Sequence, residues 1–170
     1  FKSLGEIYLM SKKISLILFL LIFSTNAYSA GSDSTPKKVK SDYDKAVESI
    51  KFAKKYEKKG KVEKAKKRYE KAQKFLLKSN QSKPNQADTL NYLGFTTRKL
   101  GDYENGEKYY LMGLEIDPNH KGINEYLGEL YVTTNRLDLA RERLKVLESC
   151  NCEEYAELKD IIEGVKESKY

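Results

Sequence analysis

The chain has 170 residues, of which 39% are hydrophobic and 34% charged, and a formal net charge of +7. That length holds one ordinary domain and leaves little room for a second. Three Pro and ten Gly exclude collagen-like and Pro/Gly-rich disordered classes, and two Cys with a single His argue against a disulfide scaffold or an ordinary Cys/His zinc module.

The first residue is Phe, and Met10 is the expected start. Lys12 and Lys13 follow it, then the apolar run Ile14 to Phe23, then small and polar residues. This order predicts a secretory signal peptide over 10–29. The run is roughly half of the ~20 residues that a spanning helix needs. Small residues at Ala27 and Ser29 favour cleavage after Ser29, with a mature chain from Ala30; an uncut N-terminal anchor is the competing reading. No Cys lies near the cleavage region, so a lipid anchor is not expected. Residues 30–41 read as a flexible polar leader. Export makes nucleic acid and nucleotides poor default partners. The mature form is expected to be periplasmic or otherwise exported, without stable membrane insertion.

Downstream, a 34-residue period appears. Leu93-Gly94 returns as Leu127-Gly128, the turn Gly101-Asp102 returns as Asn135-Arg136, and Tyr110 returns as Leu144. Asp117-Pro118-Asn119 stops one copy before the next begins. An earlier copy holds Phe52-Ala53, Tyr56, the turn at Gly60, then Ala65, Tyr69 and Ala72. Its offset to the middle copy implies an insertion of seven residues, assigned to the polar stretch Ser79 to Asn85. Apolar spacing in each copy is helical, so each reads as two helices around a short turn. Gly94 and Gly128 sit at the same place in two copies, which suggests close helix approach. Gly106 and Gly113 are expected to weaken their helix locally, since Gly costs ~1 kcal/mol against Ala there. Glu153 to Lys166 is a further amphipathic stretch with Tyr155, Leu158, Ile161, Ile162 and Val165 as its apolar set. It reads as the terminal cap that a solenoid needs.

On these residues the chain resembles the tetratricopeptide repeat family, and among its members an exported bacterial one. Leu90, Leu93-Gly94, Tyr110 and Pro118 match in the middle copy. Leu127-Gly128, Tyr131, Ala140 and Leu144 match in the last copy, and Phe52-Ala53, Tyr56, Ala65, Tyr69 and Ala72 in the first. The departures are Thr97, Gly106, Asn124 and Cys152, and the lack of a Pro at the end of the first copy. The resemblance implies an all-α, right-handed α-solenoid. Three helix pairs over 42–152 (about 46–79, 87–120 and 121–152) would be followed by a capping helix and tail over 153–170. It also implies a non-enzymatic scaffold or adaptor of the bacterial cell envelope, expected as a monomer, that binds another protein.

In this family the first helix of each pair lines a concave groove. Carried over, that names Lys54 in the first copy, with Ile50 and Glu57 beside it. It names Asn91, Phe95, Arg98 and Lys99 in the middle copy, and Glu125 and Glu129 in the last, with Val132. Phe95 and Arg98, three residues apart, make a candidate anchor pair; burial of Phe95 against the neighbouring copy is the alternative. A subtype that grips a terminal carboxylate is disfavoured. Its positions hold Ile50, Lys54, Tyr92, Gly122 and Tyr126 here, and only Lys54 keeps a suitable charge.

Charge is uneven. Residues 37–78 carry 17 basic and 6 acidic residues, whereas 79–170 carry 12 and 17. Either the first pair contacts an anionic surface, or this is a lysine-rich solvated face. Cys150-Asn151-Cys152 has three readings: a local disulfide, a thiol-redox site, or two packed thiols. The redox reading lacks a thioredoxin-like context. His120 has no Cys or carboxylate near it at metal-ligand spacing and reads as a solvated loop residue. No nucleophile motif or phosphate loop occurs, so no catalytic residue, cofactor or metal is expected.

Overall fold

The computed structural model describes residues 39–168, so the expected signal segment at 10–29 and most of the leader lie outside the described residues. Within them are seven helices and no strand: α1 (Asp42–Glu57), α2 (Val62–Ser82), α3 (Ala87–Lys99), α4 (Tyr103–Ile116), α5 (Lys121–Thr133), α6 (Leu137–Leu147) and α7 (Glu153–Ile162). The pairs α1–α2, α3–α4 and α5–α6 pack internally. α2 stacks on α3, α4 on α5, and α7 rests on α5 and α6. This is an all-α solenoid of three helix pairs with a terminal helix.

The turns inside the pairs are built alike. Gly60, Gly101 and Asn135 have φ of 67°, 95° and 58°. Gly and Asn are the residues that enter this left-handed region at low cost. The next residue then bonds back across the turn in each pair, Lys61 N to Tyr56 O at 2.9 Å, Asp102 N to Thr97 O at 3.1 Å, and Arg136 N to Tyr131 O at 2.7 Å. These bonds satisfy carbonyls that a helix end leaves open. At the entrance, Ser41 and Asp44 form a reciprocal capping box on α1.

The seven inserted residues divide between helix and connection: α2 continues to Ser82 and has 21 residues against 14 in α4. Ser79 to Ser82 carry on the register set by buried Leu76, and the chain leaves it before Pro84, whose ring disfavours a helical preceding residue. Gly106 and Gly113 are contact points in α4, which gives their helix-propensity cost a packing reason. A methyl group on Gly106 would lie 3.2 Å from the Gly94 carbonyl, and one on Gly113 would strike Ile123. α7 ends at Ile162, not Lys166; Gly164 turns the chain with φ of 72°, and Val165 is exposed. His120 is not a solvated loop residue. Its Nδ1 accepts from Ile123 N and caps α5, and its Nε2 lies 3.1 Å from Asp88 Oδ1. With Nδ1 accepting, Nε2 carries the proton that is donated to Asp88. The sequence spacing of 32 residues hid that carboxylate.

The small residues are filled by different partners. A methyl on Gly94 would lie 2.6 Å from the ring of Tyr110 in its own pair. One on Gly128 would lie 2.5 Å from Leu158 of α7. Leu144, the counterpart of Tyr110 by period, is only half-buried. The last helix thus supplies the side chain that covers the last first-helix notch.

Candidate functional site

A cavity of about 920 Å³ opens where the end of α1, the start of α2, the end of α3 and the middle of α5 meet. Periodicity places these residues. Lys54 and Glu57 lie near the last turn of α1, Phe95 and Lys99 are one turn apart on α3, and Glu125, Tyr126 and Glu129 form one ridge of α5. Three rings make the floor. Phe95 sits 5.8 Å from Tyr69 and 5.1 Å from Tyr126, centroid to centroid. Lys54 lies over this floor, with Nζ 4.7 Å from the Phe95 centroid and 5.6 Å from that of Tyr126, and donates to the Tyr126 hydroxyl at 3.3 Å. On the other wall, Glu57 accepts from Tyr69 Oη at 2.7 Å and pairs with Lys99 Nζ at 2.7 Å. Lys58, Val62 and Lys66 complete the rim, and Val62 is 68% exposed.

Of the seven groove residues expected from sequence, Lys54, Phe95, Lys99, Glu125 and Glu129 line this cavity, and Asn91 and Arg98 do not. Phe95 is 1% exposed and belongs to the core as well as to the cavity floor. Arg98 is 2% exposed, so the proposed anchor pair on the groove face is corrected: its guanidinium points between pairs. Nη1 donates to Tyr126 O at 2.7 Å and Nη2 to Glu129 Oε2 at 3.0 Å, with both side chains dry. Asn91 is buried beside Gly122, where a methyl group would lie 2.8 Å from its Nδ2. Ile50 is also core. Tyr69 and Tyr126 were missed as site residues. Tyr69 belongs to a second helix and matches a core position of the repeat, and only its alignment with Phe95 and Glu57 in space shows its second role.

Cys150 and Cys152 are joined by a disulfide in the connection from α6 to α7, with Asn151 between them at φ of 46°. They do not line the cavity. No group of three or more His, Cys, Asp or Glu among the described residues could hold a metal ion.

Burial pushes the hydroxyls of Tyr43, Tyr69, Tyr92, Tyr110, Tyr126 and Tyr131 above the ordinary tyrosine range, with nearby carboxylates adding to it. For Tyr69 burial comes first and the hydrogen bond to Glu57 second. The unfolded chain loses these protons near pH 10, whereas the fold keeps them. Stability from these groups is therefore intact below about pH 10 and falls as pH rises towards their folded values. Urea unfolding at rising alkaline pH is expected to show that loss. Phenolate absorbance should rise in two stages, exposed tyrosines first and the fully buried Tyr69 and Tyr110 only on unfolding. Complete ionisation near pH 10 with helix content intact would contradict the burial.

The fold defines a class: an α-solenoid of helix-pair repeats. Residues 87–120, the span from α3 to the turn before α5, match the family described as tetratricopeptide repeat. The middle pair is thus similar to that repeat, and the flanking pairs share its turn geometry. No curated protein matches the chain. Among solved structures that match is one described as the first TPR of Spaghetti (RPAP3) bound to HSP90 peptide SRMEEVD. It is 19% identical, with a TM-score of 0.47, over 75% of this chain and 98% of that one.

Proposed function

We propose that this chain is a non-enzymatic adaptor of a bacterial cell envelope that holds a peptide or helix of a partner protein in the cavity between α1, α2, α3 and α5. The cavity itself carries the reading. Its volume of about 920 Å³ lies within the range of specific ligand sites. An aromatic floor accepts an apolar side chain, and the lysines and glutamates of the rim orient the polar backbone and neighbours of that side chain. Buried aromatics are the usual energetic centres of such contacts. The tetratricopeptide repeat at 87–120 supports the same class of activity. Export rests on the signal pattern at 10–29. N-terminal sequencing of the cell-derived protein tests it: a start near Ala30 agrees, and retention of Met10 does not.

Binding is tested by selecting peptides from a random display library on the full chain. Enriched peptides are then titrated against Lys54→Glu by fluorescence anisotropy. Lys54 is exposed at the rim, so its charge can be reversed without opening the core. Reversal is expected to weaken binding about tenfold or more, with an unchanged melting temperature. Failure to enrich any peptide, or equal affinity for the variant, would overturn the site.

A further inference from the structure

We propose that the outward ridge of α2 seats the protein on an anionic lipid bilayer, a role independent of the cavity. The inner face of α2 is fixed by its buried residues, Ala65, Tyr69, Ala72 and Leu76. At about 3.6 residues per turn the opposite face centres on Lys67, Lys74 and Lys78, with Lys64 and Lys71 on one side of that line and Glu63 and Glu70 on the other, all exposed. The five lysines form one row roughly 20 Å long at 1.5 Å of rise per residue.

A general lysine bias does not account for this row. Exposed positions outside it carry Val62, Glu63, Glu70 and Leu77 as well as Lys66, so the residue type is uniform only along the ridge. Among the described residues none of the five ridge lysines takes part in an ion pair, and neither do Glu63 and Glu70. From α3 to α7 most basic residues do: Arg98, Lys99, Lys108, Arg136, Arg141, Arg143 and Lys159 each face a carboxylate within 4.0 Å, whereas Lys121 and Lys145 do not. Like charges three and four residues apart repel along a helix, so the row opposes the stability of α2. The extra length of α2 beyond the other second helices prolongs the row to Lys78 instead of ending it.

Placement selects the partner. The cavity that α2 helps to line takes Val62, Ala65, Lys66 and Tyr69 from it but none of the five. A straight row outside any cavity offers no channel to track a linear polyanion, whereas it lies flush on a planar charged surface. Leu77, 47% exposed, stands beside Lys74 and Lys78. An apolar side chain beside a row of ammonium groups suits the headgroup layer of a bilayer. Lysine, a strongly hydrated point charge, matches diffuse attraction to a charged surface rather than bidentate recognition of one group.

The test is co-sedimentation of the full chain with vesicles of phosphatidylglycerol and phosphatidylcholine, against vesicles of phosphatidylcholine alone. The apolar run Ile14 to Phe23 travels with the full chain, and the neutral vesicles measure its share. Binding to the anionic vesicles is expected to be about tenfold stronger or more, and to weaken as salt is raised. The variant Lys67→Gln, Lys71→Gln, Lys74→Gln and Lys78→Gln should lose most of that difference and fall about tenfold or more, to near the neutral baseline, with unchanged helix content and melting. A charge control, Lys83→Gln with Lys121→Gln and Lys145→Gln, should retain most of the binding. Equal binding to both vesicles, full binding by the ridge variant, or an equal loss in the charge control overturns the proposal. Capture of soluble polyphosphate without vesicle binding also overturns it, in favour of a polymer partner.

Discussion

Arg98→Ala is expected to be among the most destabilising single substitutions in the described residues, at about 3–5 kcal/mol. The guanidinium and the Glu129 carboxylate are both dry, and the pair ties α3 to α5 across the boundary between repeats. Truncation leaves a buried carboxylate without its main counter-charge, and the Tyr126 carbonyl loses the donor at 2.7 Å. Against a typical total of roughly 5–15 kcal/mol, that is a large fraction of the stability. The double variant Arg98→Met with Glu129→Leu should recover most of the loss, because removing both charges also removes the desolvation cost. Urea unfolding of the natural chain, Arg98→Met, Glu129→Leu and the double variant completes the cycle. A single-variant loss below about 1 kcal/mol would mean that water reaches the pair and that it does not join the repeats as described. The cycle also explains why combined alanine substitution of Phe95 and Arg98 is a poor probe of binding: both side chains are structural.

The repeat was legible because it is local. Gly60, Gly101 and Asn135 punctuate three pairs, and each lies in the left-handed turn that the spacing implied. The identity of the groove was legible only as far as a helix face can be read. Arg98 and Glu129 are charged residues on first helices, so a face-by-face reading sends both to solvent. Only stacking of α3 on α5 shows that they satisfy each other. Asn91 failed in the same way, through the close approach that Gly122 permits. Lys54, by contrast, stays exposed. His120 shows the converse limit: its carboxylate partner lies 32 residues away, beyond any local pattern. The lysine row of α2 was visible as net charge, and its alignment follows from α2 being one unbroken helix past Lys78.

Leu158→Ala is expected to cost about 2–5 kcal/mol, since Leu158 is fully buried and its methyls fill the notch at Gly128. Loss should appear as early melting of α7 and α5 together, because α7 rests on α5 and has few other supports. The notch makes a sharper test possible. Gly128→Ala alone places a methyl group 2.5 Å from a Leu158 terminal carbon, so the leucine must move, at about 1–3 kcal/mol of overpacking. The same methyl group in the Leu158→Ala background meets an empty space and fills part of it. It also gains ~1 kcal/mol of helix propensity over glycine. Gly128→Ala should therefore change sign with background: destabilising in the natural chain, and stabilising by about 1 kcal/mol or more when Leu158 is alanine. Thermal and urea unfolding of the two single variants and the double variant measure this coupling. Additive losses would show that α7 does not seat Leu158 on Gly128. The last pair would then be covered through Leu144, as the 34-residue period alone suggests.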